Sequence, residues 1–502
     1  MAIVLISLIL VTFIALYFYL VQNNKYWQNR GVFCADGALP GIGHMLPVLC
    51  MRTTFVECFQ NIYYNNRSHS MVGIYKFMSP SLIVVEPDLV KTVLQTNFTS
   101  FHQNALKINP DVDPLLAKHP FFSHGDKWIV GRKRLTYAFS SMRLKILLEN
   151  VKSVCVMLEN YLDNKLDKTE KVDLELRDLC SRYTTQVAAA AGFGVDGFCF
   201  NDEKADRSFR KIGKQILEPS IRNAIVFILI FIFPPLNKFF KASVVPKHID
   251  RFFRTLVANL MQQRRQEKIP RNDFLHLMVE LERISDDKFD LEMLTSNIIT
   301  FFIDSYGTSS TAMSFVGFQL ASHPEVQEKL RKEVMTVVDK YDGVITYEGL
   351  KEMTYMDRVL NESLRLVPVL GSMIKRCTEE CELRGSDGVV CRVEPGTEIL
   401  ISIQGLHKDP RYWKDPEVFD PERFSPENKH SIEKFTFIPF SEGPRNCVGM
   451  RMAQLQIKAG LAAILRKYRL EVSPKTQIPL KMMPNTNLPS PKGGLWISFQ
   501  QL

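Results

Sequence analysis

Apolar residues recur along this chain mostly at helical spacing, with a few short alternating stretches, a pattern that predicts a mainly α protein with a small β region. The clearest helical periods run from Leu291 to Leu320, from Thr354 to Val367 and from Met450 to Arg466. In the second, Met356, Val359, Leu360, Leu364 and Val367 share one face and Pro368 stops the helix; in the third, Met450, Ala453, Ile457, Leu461 and Ile464 form the stripe. Ser322, Pro324 and Glu325 predict a capping box, with proline in the first turn, opening the helix that follows Leu320. Short alternating runs from Met71 to Val85 predict strands, with Gly73 and Pro80 as turns.

Ala2 to Val21 is uncharged and almost wholly apolar, and at about 1.5 Å per residue it reaches about 30 Å, enough to cross a bilayer. A cleaved signal peptide has a shorter apolar core, of about 7–15 residues, and a small-residue cleavage site, whereas here Gln22, Asn23, Asn24, Lys25, Tyr26 and Trp27 follow. Residues 1–21 are therefore expected to be a retained transmembrane anchor. Lys25 and Arg30 lie after it and no Lys or Arg precedes it, which places the rest of the chain in the cytosol. Residues 22–50, punctuated by Gly37, Pro40, Gly41, Gly43 and Pro47, read as a hinge, and residues 51–502 as one catalytic domain. A second apolar run, Ala224 to Phe233, is too short to span a membrane; a buried core helix is its default reading and a segment dipping into the bilayer the alternative.

The 46% apolar content over 502 residues supports a large core and speaks against disorder. Ten cysteines without a disulfide framework imply a reducing compartment, and Cys377, Cys381 and Cys391 have no nearby histidine to complete a familiar zinc pattern. The net charge of +9 suits an acidic partner, with Lys127, Lys133, Arg134, Arg451 and Lys458 as candidate contacts, although a solvated basic surface accounts for each equally well.

The candidate chemistry centres on Cys447, at the start of the helix opening near Met450, where unpaired N–H groups and the helix dipole favour a thiolate. Gly443 allows the backbone to turn before the cysteine, Gly449 lets it lie flat against a planar ligand just after, and Arg445 can pair with a carboxylate on that ligand. Upstream, Trp128 and Arg132 stand on one helix face, as do Glu362 and Arg365, and as do Asp304 and Thr308. Taken alone, the first is an aromatic stack on arginine, the second a surface ion pair, and Thr308 a threonine bonded back to its own helix.

Phe440, Gly443, Arg445, Cys447 and Gly449 occupy every fixed position of the haem-binding signature of the cytochromes P-450, which this loop resembles. Trp128 and Arg132, Thr308, Glu362 with Arg365, and Arg423 follow that family's order across nearly the whole chain, and the pattern looks most like microsomal animal members, nearest to those of insects. The resemblance implies the P-450 fold, a large helical domain with a small β region. It makes Cys447 the axial ligand of a haem b iron with Phe440 beside the sulfur, sets Trp128 and Arg132 on a haem propionate, puts Thr308 at the oxygen site, and gathers Glu362, Arg365 and Arg423 into a buried network. It further implies a monooxygenase of the endoplasmic reticulum membrane, acting on lipophilic substrates such as xenobiotics, insecticides or hormones. Electrons would come from NADPH through the flavins of cytochrome P-450 reductase, with cytochrome b5 as a second donor. A haem-thiolate isomerase or dehydratase, and a non-catalytic haem protein, are the alternatives. One departure stands out: the family usually has an acid immediately before the oxygen-site threonine, and this chain has Gly307, with Asp304-Ser305 in place of Ala-Gly. Asp304 is expected to supply the displaced carboxylate, either relaying protons or meeting a polar group on the substrate.

Overall fold

An uncharged helix precedes everything else in the computed structural model, which describes residues 1–167, 169–218, 220–232, 234–267, 271–285, 289–484 and 488–502. This helix, α1 (Ala2–Asn23), exposes Val4, Leu5, Ile6, Leu8, Leu10, Val11, Ile14, Tyr17, Phe18 and Tyr19. A helix with this run of exposed apolar side chains is long enough to cross a membrane.

The strands in chain order are β1 (Met71–Lys76), β2 (Ser79–Val84), β3 (Gln103–Asn104), β4 (Lys171–Glu175), β5 (Met373–Arg376), β6 (Cys381–Arg384), β7 (Val390–Val393), β8 (Glu398–Ile401), β9 (Tyr468–Val472) and β10 (Trp496–Gln501). The helices that carry candidate residues are α2 (Gly125–Ala138), α3 (Phe209–Leu217), α4 (Ile221–Phe227), α5 (Leu291–Asp304), α6 (Ser310–Ser322), α7 (Thr354–Leu366) and α8 (Met450–Leu465). The chain divides into two compact units, one of Met1–Ala105, Leu370–Val418 and His430–Asn446, the other of Leu106–Val369, Phe419–Lys429 and Cys447–Leu502.

The first unit holds a five-stranded sheet of order β1-β2-β8-β5-β3 and the β6–β7 hairpin. β1 and β2 arise where the alternation predicts them, but the turn lies at Phe77 and Met78, and Gly73 and Pro80 sit inside the strands, paired with Leu82 and Tyr75. Gly73 is required by packing rather than by turning, because a Cβ there would enter the ring of Trp27. Residues 22–50 are built into this unit: Trp27, Val32, Ala35 and Met45 join its core, and Cys34 and Gly43 bridge to Gly73 and Lys76.

The second unit is mostly helical, with a small sheet of order β4-β10-β9. Its central feature is α5 running through a π turn (Ser305–Ser309) into α6. The Gln456 side chain of α8 braces that wide turn, accepting from Ser305 Oγ at 3.2 Å and donating to Ser309 Oγ at 2.9 Å. The capping box expected at Ser322 does not form. His323 is the N-cap of the helix Pro324–Lys340, without a side-chain bond, and the Ser322 hydroxyl donates instead to Phe318 O at 2.9 Å. α8 is buried on nearly every side rather than along one stripe.

The short apolar run becomes α4 followed by a π-helical stretch (Ile228–Ile232), with Phe233 outside the described residues. It is not a buried core helix. Val226 and Ile230 turn inward, whereas Ile221 (83% exposed), Ile225 and Ile228 face outward, as do Phe239 and Phe240 farther on.

Candidate active site

Cys447 lies two residues ahead of Gly449, the N-cap of α8, as the helical period requires. The residue is exposed, yet protein crowded around the sulfur pushes its thiol up to about 11, with the Asp304 charge adding to the rise. The N–H groups of Gly449 and Met450 and the Arg132 guanidinium pull the other way and lose. The thiolate expected from helix geometry is thus not delivered by the helix terminus, because lost hydration costs a thiolate more than two N–H groups return. Metal coordination would reverse that balance, since a coordinated thiol is deprotonated outright.

Around this sulfur the second unit gathers the residues read from three separate stretches. Arg132, on α2 one turn after the half-buried Trp128, is near enough for its charge to act on Cys447, and burial lowers its own pKa. Asp304 acts on the same sulfur from the end of α5. Thr308 sits in the π turn, half-buried, and its hydroxyl donates to Asp304 O at 2.7 Å, the backward bond common to helical threonines. Gly307 is closed in: a Cβ there would lie 3.1 Å from Leu217 and 3.2 Å from Leu488, so an acidic side chain at this position would have to displace both.

The remainder of the loop belongs to the first unit. Gly443 has φ +76, and a Cβ there would run into Leu94 O, so the expected turn is real and exacts a glycine. Phe440 and Arg445 are half-buried. Lys375, buried on β5, donates to Asn104 Oδ1 at 3.0 Å with no carboxylate among the described residues within 4 Å; burial, with the Arg445 charge adding to it, lowers its pKa to about 7. Sequence reasoning passed over Lys375, although a lysine on an inward position of an alternating strand was the available signal. It also missed His119, whose Nε2 lies 3.3 Å from Asp304 Oδ1, because the two are far apart in sequence and no pattern links them.

Glu362 and Arg365 on α7 are fully buried and joined by two hydrogen bonds, and Arg423 Nε approaches Glu362 Oε1 at 3.3 Å. Asp420 N–H donates to the same oxygen at 2.9 Å. This is the expected three-residue network and not a surface pair. Of the basic residues offered as partner contacts, Lys127, Lys133 and Arg451 are exposed, but Lys458 is buried, donating to Asp357 Oδ1 at 2.7 Å and Met353 O at 3.1 Å, and Arg134 covers the Phe289 ring.

The donor set fits a haem. Cys447 offers a sulfur of the kind that ligates haem iron, and the Arg132 charge that acts on it is of the sign that pairs with a haem carboxylate. At Gly449 a Cβ would meet only Cys447 Sγ, at 4.0 Å, which leaves that flank of the sulfur free of side chains for a flat macrocycle.

Comparison with known proteins agrees. A family model described as Cytochrome P-450 matches residues 38–497. The chain is 32% identical over 504 residues to "Probable cytochrome P-450 6a13" of Drosophila melanogaster, covering 99% of each. It is 31% identical over 521 residues to "Cytochrome P-450 9e2" of Blattella germanica, covering 98% of this chain and 97% of the relative, and 31% identical over 494 residues to "Cytochrome P-450 6a2" of Drosophila melanogaster, covering 96% of each.

Proposed function

The chain belongs to the cytochrome P-450 family and is a P-450 monooxygenase, and from that premise we propose that it inserts one oxygen atom of O2 into lipophilic organic compounds. Its electrons come from NADPH through the flavoprotein reductase, with cytochrome b5 as an accessory donor, at the cytosolic side of the endoplasmic reticulum membrane. The observation that carries this reading is the convergence of Asp304 and Arg132 on the Cys447 sulfur, with Thr308 one turn from Asp304 on the same helix.

When bound, haem b supplies oxygen activation, with a thiolate ligand favouring O–O cleavage. Cys447 would hold it through its sulfur. Arg132 with Trp128, and Arg445, would meet its carboxylates, as the family resemblance implies. Gly449 would leave room beside the sulfur for it, Gly443 turns the chain ahead of Cys447, and Phe440 belongs to the same signature loop. Thr308 holds a proton at Oγ1, available once its bond to Asp304 O loosens. The apolar side chains exposed on α4, with Phe239 and Phe240, offer a second membrane contact besides α1.

Oxygen uptake by the membrane-bound enzyme, measured with added reductase and NADPH over a panel of lipophilic compounds, tests the proposal. A monooxygenase consumes oxygen and NADPH together and yields hydroxylated product. Turnover of an organic peroxide without NADPH would instead identify an isomerase or dehydratase, and ligand binding with no turnover a non-catalytic haem protein.

A further inference from the structure

From Leu294 to Ala321 every residue of α5, the π turn and α6 is buried except Ile303, Asp304 and Thr308. Asp304 is the charged member of that gap, and its side chain is 54% exposed. Its carboxylate is held rather than loose. His119 is buried, its Nδ1 accepts the Phe121 N–H at 3.0 Å, and a neutral imidazole so engaged carries its proton on Nε2, which it donates to Asp304 Oδ1. No lysine or arginine among the described residues comes within 4 Å of Asp304; its one ionisable partner is His119.

The carboxylate is not connected to the Thr308 hydroxyl, because that hydroxyl donates to the Asp304 backbone carbonyl. A proton relay from Asp304 through Thr308 would need the opposite arrangement. What the helix presents is a carboxylate held at one oxygen by His119, with more than half of its side chain exposed, on the residue whose charge reaches Cys447. A group of that kind attracts a cation, and it does so more strongly when apolar surface nearby excludes water. A neutral ligand in the same place strips water from the carboxylate and returns nothing.

We propose that Asp304, oriented by His119, is a recognition site for a positively charged nitrogen on otherwise lipophilic substrates. His119 is the positioning residue and Asp304 the contact. The assignment rests on the monooxygenase reading and narrows its substrate class to lipophilic amines.

The test uses two probes of nearly equal shape, a 4-phenylbutyl chain ending in trimethylammonium and the same chain ending in tert-butyl. A quaternary nitrogen has no lone pair, so binding cannot arise from ligation of the iron. Equilibrium dialysis is run on holoenzyme in nanodiscs of zwitterionic lipid, after the reduced carbon-monoxide spectrum has verified thiolate ligation in each variant. The wild type is expected to bind the cation about tenfold or more tighter than the neutral probe. Asp304→Asn is expected to remove that preference with the neutral probe held to within about twofold; Asp304→Glu keeps part of it, and His119→Phe lowers cation affinity alone. Equal binding of the two probes by wild type overturns the assignment without need of any variant, as does a preference that survives Asp304→Asn. In both cases thiolate ligation and neutral-probe binding leave the monooxygenase reading standing. Absence of the thiolate spectrum from wild type would sink that reading itself, and this inference with it.

Discussion

Arg365 grips Glu362 through two hydrogen bonds, Nε to Oε2 at 2.7 Å and Nη2 to Oε1 at 2.8 Å, and neither side chain has any exposed surface. Arg423 and the Asp420 N–H complete the shell around the same carboxylate, tying α7 to the short helix Pro421–Phe424. Buried ions in such a shell are stable only together, since removal of one partner leaves the other charged and dry. Glu362→Gln is expected to destabilise the protein by about 3–5 kcal/mol and to lower haem content. The double replacement of Glu362 and Arg365 by leucine is expected to cost less than Glu362→Leu alone, by denaturant unfolding.

Cys447→Ala is expected to abolish the thiolate signature of the reduced carbon-monoxide complex, because no other cysteine stands at the start of α8. Persistence of that signature in the variant would show that the ligand lies elsewhere.

Gly307 lies against Leu217 and Leu488, so the acid that the family usually places here would have to push both aside. Gly307→Ala gains roughly 0.8–1.0 kcal/mol of helix propensity and spends it against contacts of 3.1 and 3.2 Å, leaving its melting temperature near that of wild type. Gly307→Glu is expected to lower it clearly. A glutamate variant as stable as wild type would mean that the leucines yield freely.

Asp113 accepts from Val244 N–H at 2.6 Å and Val245 N–H at 3.2 Å, but burial outweighs both bonds and raises its pKa from 3.8 to about 6. A raised acid favours the fold while protonated. Its contribution is therefore complete below about pH 4 and is lost as pH rises through 6. Unfolding free energy measured from pH 4 to 7 should carry this falling component in wild type, of at most about 3 kcal/mol, and lack it in Asp113→Asn.

Deleting residues 1–21 is expected to weaken membrane flotation without abolishing it, because Ile221, Ile225, Ile228, Phe239 and Phe240 remain exposed. Adding Ile221→Asp and Phe239→Asp to the truncated protein should release it. If truncation alone makes the protein fully soluble, the second contact does not exist.

The sequence by itself determined the family, the cysteine and its helix, and the order of the supporting residues, because each depends on local spacing: a loop of fixed glycines, helical turns pairing Trp128 with Arg132 or Glu362 with Arg365, an apolar run as long as a bilayer is thick. The turn at Gly443 and the long apolar N-terminal helix were legible for the same reason. What tertiary structure alone decided concerns environment. Gly73 and Pro80 looked like turn residues until Trp27 and a strand partner were seen against them. Lys458 looked like a surface cation until α8 proved buried on nearly all sides, and the Cys447 thiol looked activated until the cost of its lost hydration was set against its donors. Burial is the sum of contacts from segments far apart in the chain, and hydration is lost by that sum. No periodicity within one segment records it, which is why His119 beside Asp304 could be found only in the folded protein.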